Sequence, residues 1–304
     1  MAAKRELGHS GIQFAPFALG GNVFGWTADE RASFEVLDAF LAAGFNFIDT
    51  ADAYSAWVPG HKGGESEEVI GKWVKARGNR DKVIIATKLG VEVVKGESGL
   101  SRTYMRKALE RSLQRLQTDY VDVYQSHRDD PDTPIEETLS AYQDLIKAGK
   151  VRAIGASNFT PARLRESLQV SKAKGLPRYE SLQPWYNLHD RAQFEEPRGH
   201  SLAELCKAES IGVIPYFALA SGFLTGKYRS LKDTEGSARG YRIKDMLNER
   251  GLRILAALAI GAVTPFASSQ ASDTCAGVAF NSFDTESSAA RMRRPRSFSM
   301  SLMR

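Results

Sequence analysis

A short apolar strand followed by an amphipathic helix recurs along this chain at spacings of roughly 30 residues, the length of one β-α-β unit. Strands read from Phe17 and over 45–50, 83–88, 120–126, 151–156, 179–183 and 212–217. Helices read over 30–43, 66–75, 101–116, 134–148, 160–174 and 200–209. The ends are punctuated. Ser101, Thr133 and Thr160 stand at N-cap positions, with Ser66 or Glu65 for the second helix, and Pro134 and Pro161 fit a first turn. Gly44, Gly149 and Gly175 are stops. Strand-then-helix order demands right-handed crossovers and a parallel sheet. Seven units and a remainder favour a closed (β/α)8 TIM barrel over an open sheet. Residues 5–7 and 12–14, around Gly8 and Gly11, predict an N-terminal β-hairpin.

The remainder departs from the pattern. Residues 252–260 are apolar with a helical period, but 261–304 are rich in Ser, Ala and Arg and show little period. AVTPFA (262–267) is the candidate eighth strand, weakened by Pro265. The expectation is a barrel over 1–260 whose eighth unit is atypical or incomplete. Residues 261–304 are then an atypical C-terminal segment, disordered or a partial β/α unit.

The formal charge of +5 invites a nucleic-acid or membrane partner, but its distribution does not. Arg291, Arg293, Arg294, Arg296 and Arg304 stand in a stretch without acids and carry the whole excess. Cys206 and Cys275 are too few for a disulfide framework or a cysteine zinc site, and His61, His189 and His200 show no metal spacing. No signal-peptide pattern and no run of 18 apolar residues is present. These features predict a cytoplasmic protein with no metal.

Three successive strands end on ionisable groups: Asp49, Asp52 and Tyr54, then Lys88, then His127. The C-terminal rim is where a β/α barrel carries its chemistry. A free phenol, with a pKa of about 10, is a poor acid at neutral pH. A Lys88 ammonium beside Tyr54 would favour the phenolate and lower that pKa, and Asp49 would keep Lys88 charged. His127 would bond the substrate oxygen. Such a set donates a proton to a carbonyl becoming an alkoxide. No side chain supplies the accompanying hydride, so a nicotinamide or flavin is implied. Asp52 and Asp122 read as structural, a loop cap and a strand-edge charge.

The stretches NFIDTADAYS (46–55), ATK (86–88), DVYQSHR (122–128), GASNF (155–159), LQPWYNL (182–188) and PYFALASGFLTGKY (215–228) resemble, in order and placement, the aldo-keto reductase superfamily. The bacterial NADP-dependent branch is the nearest likeness, with some similarity to potassium-channel β subunits. The resemblance implies reduction of a small aldehyde or ketone by NADPH, with NADH left open. Tyr54 would be the proton donor, and Asp49, Lys88 and His127 would complete a tetrad. Gly21, Asn22 and Asp49 would lie near the nicotinamide ribose. Ser157, Asn158 and Gln183 would hold the carboxamide, with Tyr216 against the ring. Leu219, Ser221, Gly222, Leu224, Gly226 and Lys227 would line the pyrophosphate, and Trp26, Trp57 and Trp185 the substrate pocket. Past Leu258 the basic segment that grips the 2′-phosphate in the family has no counterpart. Two other readings stand beside this one: an NADP(H)-binding regulatory module with little turnover, from the likeness to channel β subunits, or, from that departure, a truncated barrel without function.

Overall fold

The computed structural model describes residues 3–197, 199–237 and 240–263, with side chains through residue 259. Strands β1 (Arg5–Glu6) and β2 (Gln13–Phe14) pair antiparallel. Seven further strands follow, each bonded to the next in chain order and all parallel: β3 (Ala18–Gly20), β4 (Phe47–Asp49), β5 (Ile84–Leu89), β6 (Val121–Ser126), β7 (Val151–Ser157), β8 (Tyr179–Gln183) and β9 (Gly212–Val213). Helices α1 (Glu30–Ala42), α2 (Glu65–Arg77), α3 (Arg102–Leu116), α4 (Ile135–Lys147) and α5 (Pro161–Lys174) connect successive strands from β3 to β8. The short α6 (Ala192–Glu195) and α7 (Leu202–Ala208) lie between β8 and β9, and α8 (Glu249–Val263) closes the described chain.

The sheet curls. Ala18 of its first strand and Ile214, just past its last, belong to one buried cluster with Phe47, Ile84, Val123 and Ala153. Leu7, Ile12 and Phe14 of the β1–β2 segment complete that cluster, so this segment plugs the interior at the strands' N-terminal end. A larger apolar layer lies between strands and helices, built on Leu37, Ile70, Trp73, Leu109, Tyr124, Leu139 and Tyr142. Its phenols are satisfied internally: Tyr142 and Tyr179 hydroxyls both meet Ser126 Oγ, at 2.8 and 3.0 Å. At the plugged end Asp122 accepts from Arg80, Arg152 and the Ile85 N–H, the structural role expected of it.

Several boundaries differ from the sequence reading, each for a local reason. The strand expected over 212–217 stops at Val213; Pro215 has no N–H for a ladder, and only a Trp185–Tyr216 bridge continues the pairing. Neither Ser66 nor Glu65 caps α2. Gly64 holds that position at φ 89°, and Ser66 Oγ instead donates to the Gly21 carbonyl at 2.7 Å. Thr133 falls one residue before the α4 cap, Pro134, and its hydroxyl bonds Asp130. The stretch 231–243, polar in sequence, contains a 3-10 turn at Leu231–Thr234 and enters another at Gly240–Met246. Ile243 is fully buried there against Phe223 and Leu255.

The apolar run 252–260 is the body of α8, which also takes in Ala262 and Val263. The first two residues of the suggested eighth strand therefore end a helix. The rest of that strand, and with it the closure of the barrel, lies outside the described residues, and α8 runs across the boundary drawn at residue 260. No helix among the described residues is long and apolar enough to cross a membrane.

Helix α2 crosses the end of α3 at Gly71. A Cβ there would overlap the Arg115 carbonyl oxygen and the Leu116 backbone, both fixed by the α3 C-terminus. Gly71→Ala gains about 1 kcal/mol of helix propensity but forces the helices apart. It should lower the unfolding free energy by about 1–3 kcal/mol, read as a shifted urea midpoint with unchanged slope.

Candidate active site

Parallel register sets the strand ends side by side. Asp49 pairs with Gly20 and Ala86, Lys88 with Gln125, and Ser157 with Gln183. Alternation turns Asp49, Lys88 and Gln125 to the interior at this rim. Lys88 is fully buried, and its three protons are all engaged. Nζ donates to Asp49 Oδ2 at 2.9 Å, to the Thr50 carbonyl at 2.7 Å and to the Tyr54 hydroxyl oxygen at 2.8 Å. The Tyr54 hydroxyl donates to the same Asp49 Oδ2 at 3.3 Å. Asp49 Oδ1 accepts from Gln125 at 3.2 Å and from Gln183 at 2.9 Å.

The ionisation of this cluster differs in one respect from the sequence expectation. Burial pulls the Lys88 pKa down, and the Asp49 charge and hydrogen bond oppose that pull. The Tyr54 pKa is not lowered. Burial, then the Asp49 carboxylate, push it well above the ordinary phenol value. Desolvation of a phenolate and repulsion from Asp49 prevail over the neighbouring ammonium, so Tyr54 rests as a neutral phenol. His127 follows β6, its N–H bonded to the Leu89 carbonyl at 2.8 Å and its ring 6.1 Å from that of Tyr54. Burial first, then the Lys88 and Arg128 charges, pull its pKa down to about 3. It is a neutral imidazole at physiological pH, and its buried Nδ1 has no partner among the described residues.

A cavity of about 240 Å3 opens above this cluster. Of the residues expected in the site, Asn22, Trp26, Asp49, Tyr54, Trp57, His127, Ser157, Asn158, Gln183 and Tyr216 line it. Lys88 lies beneath. Gly21 lies behind, its N–H on the Asp49 carbonyl at 2.7 Å, and Gly20 faces the cavity in its place. Trp26 and Trp57 meet edge to face at 5.6 Å. Trp185 is not among the lining residues; it packs on Phe217 at 5.3 Å and donates to Asp190. Asn158 bridges the rim, donating to the His127 carbonyl and accepting from the Tyr216 hydroxyl at 2.7 Å.

Leu219, Ser221, Gly222, Leu224, Gly226 and Lys227 are not lining residues of this cavity either. They fold as a tight 3-10 segment with Ser221 at φ 56° and Gly222 at φ 97°. The N–H groups of Gly222, Leu224 and Gly226 close turns within it, onto the Leu219 and Phe223 carbonyls.

Three participants escaped the sequence reading. Gln125 stands two positions before His127, and strand alternation from inward-facing Val123 was the signal that could have found it. Phe217 and Arg242 line the cavity, which Gln125 does not. Phe217 adopts φ 55°, unusual for a bulky residue, and Arg242 opens from a stretch that looks like surface, so neither carried a local signal. Asp52, read as a loop cap, is buried beside a second ionic layer. Glu67 accepts there from Thr87 at 2.5 Å and from Arg115 at 2.7 Å. Burial and then Glu67 push the Asp52 pKa well up.

The profile of the Aldo/keto reductase family matches residues 16–260. Aldo-keto reductase YhdN of Bacillus subtilis is 38% identical over 229 residues, 75% of this chain and 63% of that protein. Aldo-keto reductase dtxS3 of Metarhizium robertsii is 36% identical over 265 residues, 77% of this chain and 68% of that one. Protein tas of Escherichia coli is 32% identical over 246 residues, 73% and 70%. The chain thus spans about two thirds of the length of these curated relatives.

The depressed His127 pKa has a signed consequence. In the unfolded chain the imidazole titrates at about 6.5, in the fold at about 3. Between those values the unfolded state binds the extra proton, so stability falls as pH drops below about 6.5. His127→Gln should remove this term. The loss of Tm between pH 7 and pH 5 should be smaller in the variant than in the parent, measured by thermal melts in matched buffers. An equal loss would contradict the buried neutral imidazole.

Proposed function

The chain belongs to the aldo/keto reductase family, and from that premise we propose that it reduces an aldehyde or ketone to the alcohol with a nicotinamide cofactor, taken as NADPH, Tyr54 giving the proton. The observation that carries this reading is the threefold engagement of Lys88 with Asp49, Thr50 and Tyr54 at the floor of a cavity. That geometry serves one chemical purpose well. A neutral phenol has a proton to give, and an ammonium 2.8 Å from its oxygen stabilises the phenolate left behind. Asp49 offsets the burial that would discharge Lys88. His127, neutral and beside Tyr54, orients the substrate oxygen. Trp26 and Trp57 shield the reacting centre from water.

The cavity suits a nicotinamide. Ser157, Asn158 and Gln183 bring hydroxyl and amide groups to its wall, Tyr216 brings an aromatic ring, and buried His127 Nδ1 has no partner among the described residues. When bound, that cofactor supplies the hydride. In the 219–227 segment the charge toward a phosphate comes from Lys227, since the glycine N–H groups are turned inward. The preference for NADPH rests on the family resemblance. A fluorescence titration with each dinucleotide tests it: tighter saturation by NADPH is expected, and equal affinity would remove the 2′-phosphate selectivity. The intact donor network favours turnover over a module that only binds.

Tyr54→Phe removes the proton and leaves the ring. Carbonyl reduction should fall by about 10²–10⁴-fold, while NADPH binding by fluorescence stays nearly unchanged. Turnover at the parent rate would show that the acid is another group.

A further inference from the structure

We infer that Arg242 selects carbonyl substrates bearing an anionic group, a carboxylate that pairs with Arg242 while the carbonyl meets Tyr54; this rests on the reductase reading. Arg242 lines the same cavity as Tyr54, His127, Trp26 and Trp57. It is the one cation among the described lining residues. The other positive charge nearby, Lys88, is buried below with every proton engaged, and Asp49 beside it balances the charge. His127 is neutral. The described lining therefore presents one net charge, and it is positive.

The guanidinium is also held in place. It lies over the Phe217 ring at 5.5 Å and the Tyr241 ring at 5.6 Å. Its Nε donates to the Tyr241 hydroxyl at 3.0 Å, and the next residue, Ile243, is fully buried and anchors the backbone. No carboxylate among the described residues forms an ion pair with it. Stacking restricts the side chain while the terminal nitrogens keep the fork that matches a carboxylate with two parallel hydrogen bonds. Trp26, Trp57, Tyr216 and Phe217 line the same cavity, which suits an aryl or short apolar body.

The test uses the full chain and two arms. In the binding arm, tryptophan fluorescence follows titration with benzoate and with neutral benzamide. Benzoate should saturate, and Arg242→Gln should weaken it roughly ten-fold, as expected for a lost charge-assisted pair. Benzamide should shift far less, and Arg242→Lys should fall between. In the turnover arm, the kcat/KM ratio of 4-carboxybenzaldehyde to its methyl ester should drop about as much in Arg242→Gln. Absence of benzoate binding, equal weakening of both ligands, or an unchanged substrate ratio would overturn the inference. So would a loss confined to NADPH affinity, which would make Arg242 a cofactor residue. If the parent reduces neither aldehyde, the reductase reading fails, and the binding arm still decides Arg242.

Discussion

The ion pair between Lys88 and Asp49 is almost entirely removed from water, with side chains 0% and 1% exposed. Two buried charges cost several kcal/mol each before their attraction is counted, and the pair is tolerable only if every remaining proton and lone pair is satisfied. That requirement reaches across the rim of the sheet. Lys88 needs the Thr50 carbonyl and the Tyr54 oxygen; Asp49 needs the amides of Gln125 and Gln183. The partners come from β5, β6 and β8 and the segment after β4, so the pair is satisfied only when those strands are in register. Chemistry and fold share one constraint.

The two ends of the sheet answer burial differently. At the N-terminal end Leu7, Ile12 and Phe14 close over small and branched strand residues, and the charge there, Asp122, is tied to two arginines and a backbone N–H. That end is filled and fixed. At the C-terminal end the inward positions are Asp, Lys and Gln, whose polar groups keep apolar side chains from filling the space. A cavity remains because its floor is hydrogen-bonded rather than packed. The second ionic layer of Glu67, Thr87 and Arg115 extends the same solution outward, under Asp52.

Much of this is legible in the sequence, and the limits are physical. Strand and helix periods, with caps such as Thr160 and stops such as Gly175, give the order of elements because each signal is local. The clustering of Asp49, Tyr54, Lys88 and His127 follows from parallel register alone, since each stands at or just past a strand's C-terminal end. What fails is whatever depends on tertiary surroundings. The direction of the Tyr54 pKa shift turns on burial, which a list of neighbours does not give. Ser66 looks like a cap and is a tie to the Gly21 carbonyl. Ile243 and Arg242 sit in a polar stretch whose irregular backbone shows no period, yet one is core and the other faces the cavity. Gln125 lies between the two cases: alternation points it inward, but only the Asp49 contact gives it a purpose.

The opposed pKa shifts explain why a strongly perturbed site remains electrostatically quiet at rest. Burial raises the Tyr54 pKa, lowers that of Lys88 and lowers that of His127; in each case it disfavours the charged form. Only the Lys88–Asp49 pair resists, because each charge is the other's solvent. The resting site therefore holds one neutral phenol, one neutral imidazole and a dipole fixed in direction, its positive end at the phenol oxygen. When the phenol loses its proton, the new negative charge forms against that positive end, which needs no rearrangement to receive it. The burial that makes Tyr54 a weak acid in isolation also strengthens this interaction, since no water screens it. If Tyr54 gives its proton as proposed, the charge left behind is stabilised by the low dielectric around one satisfied pair.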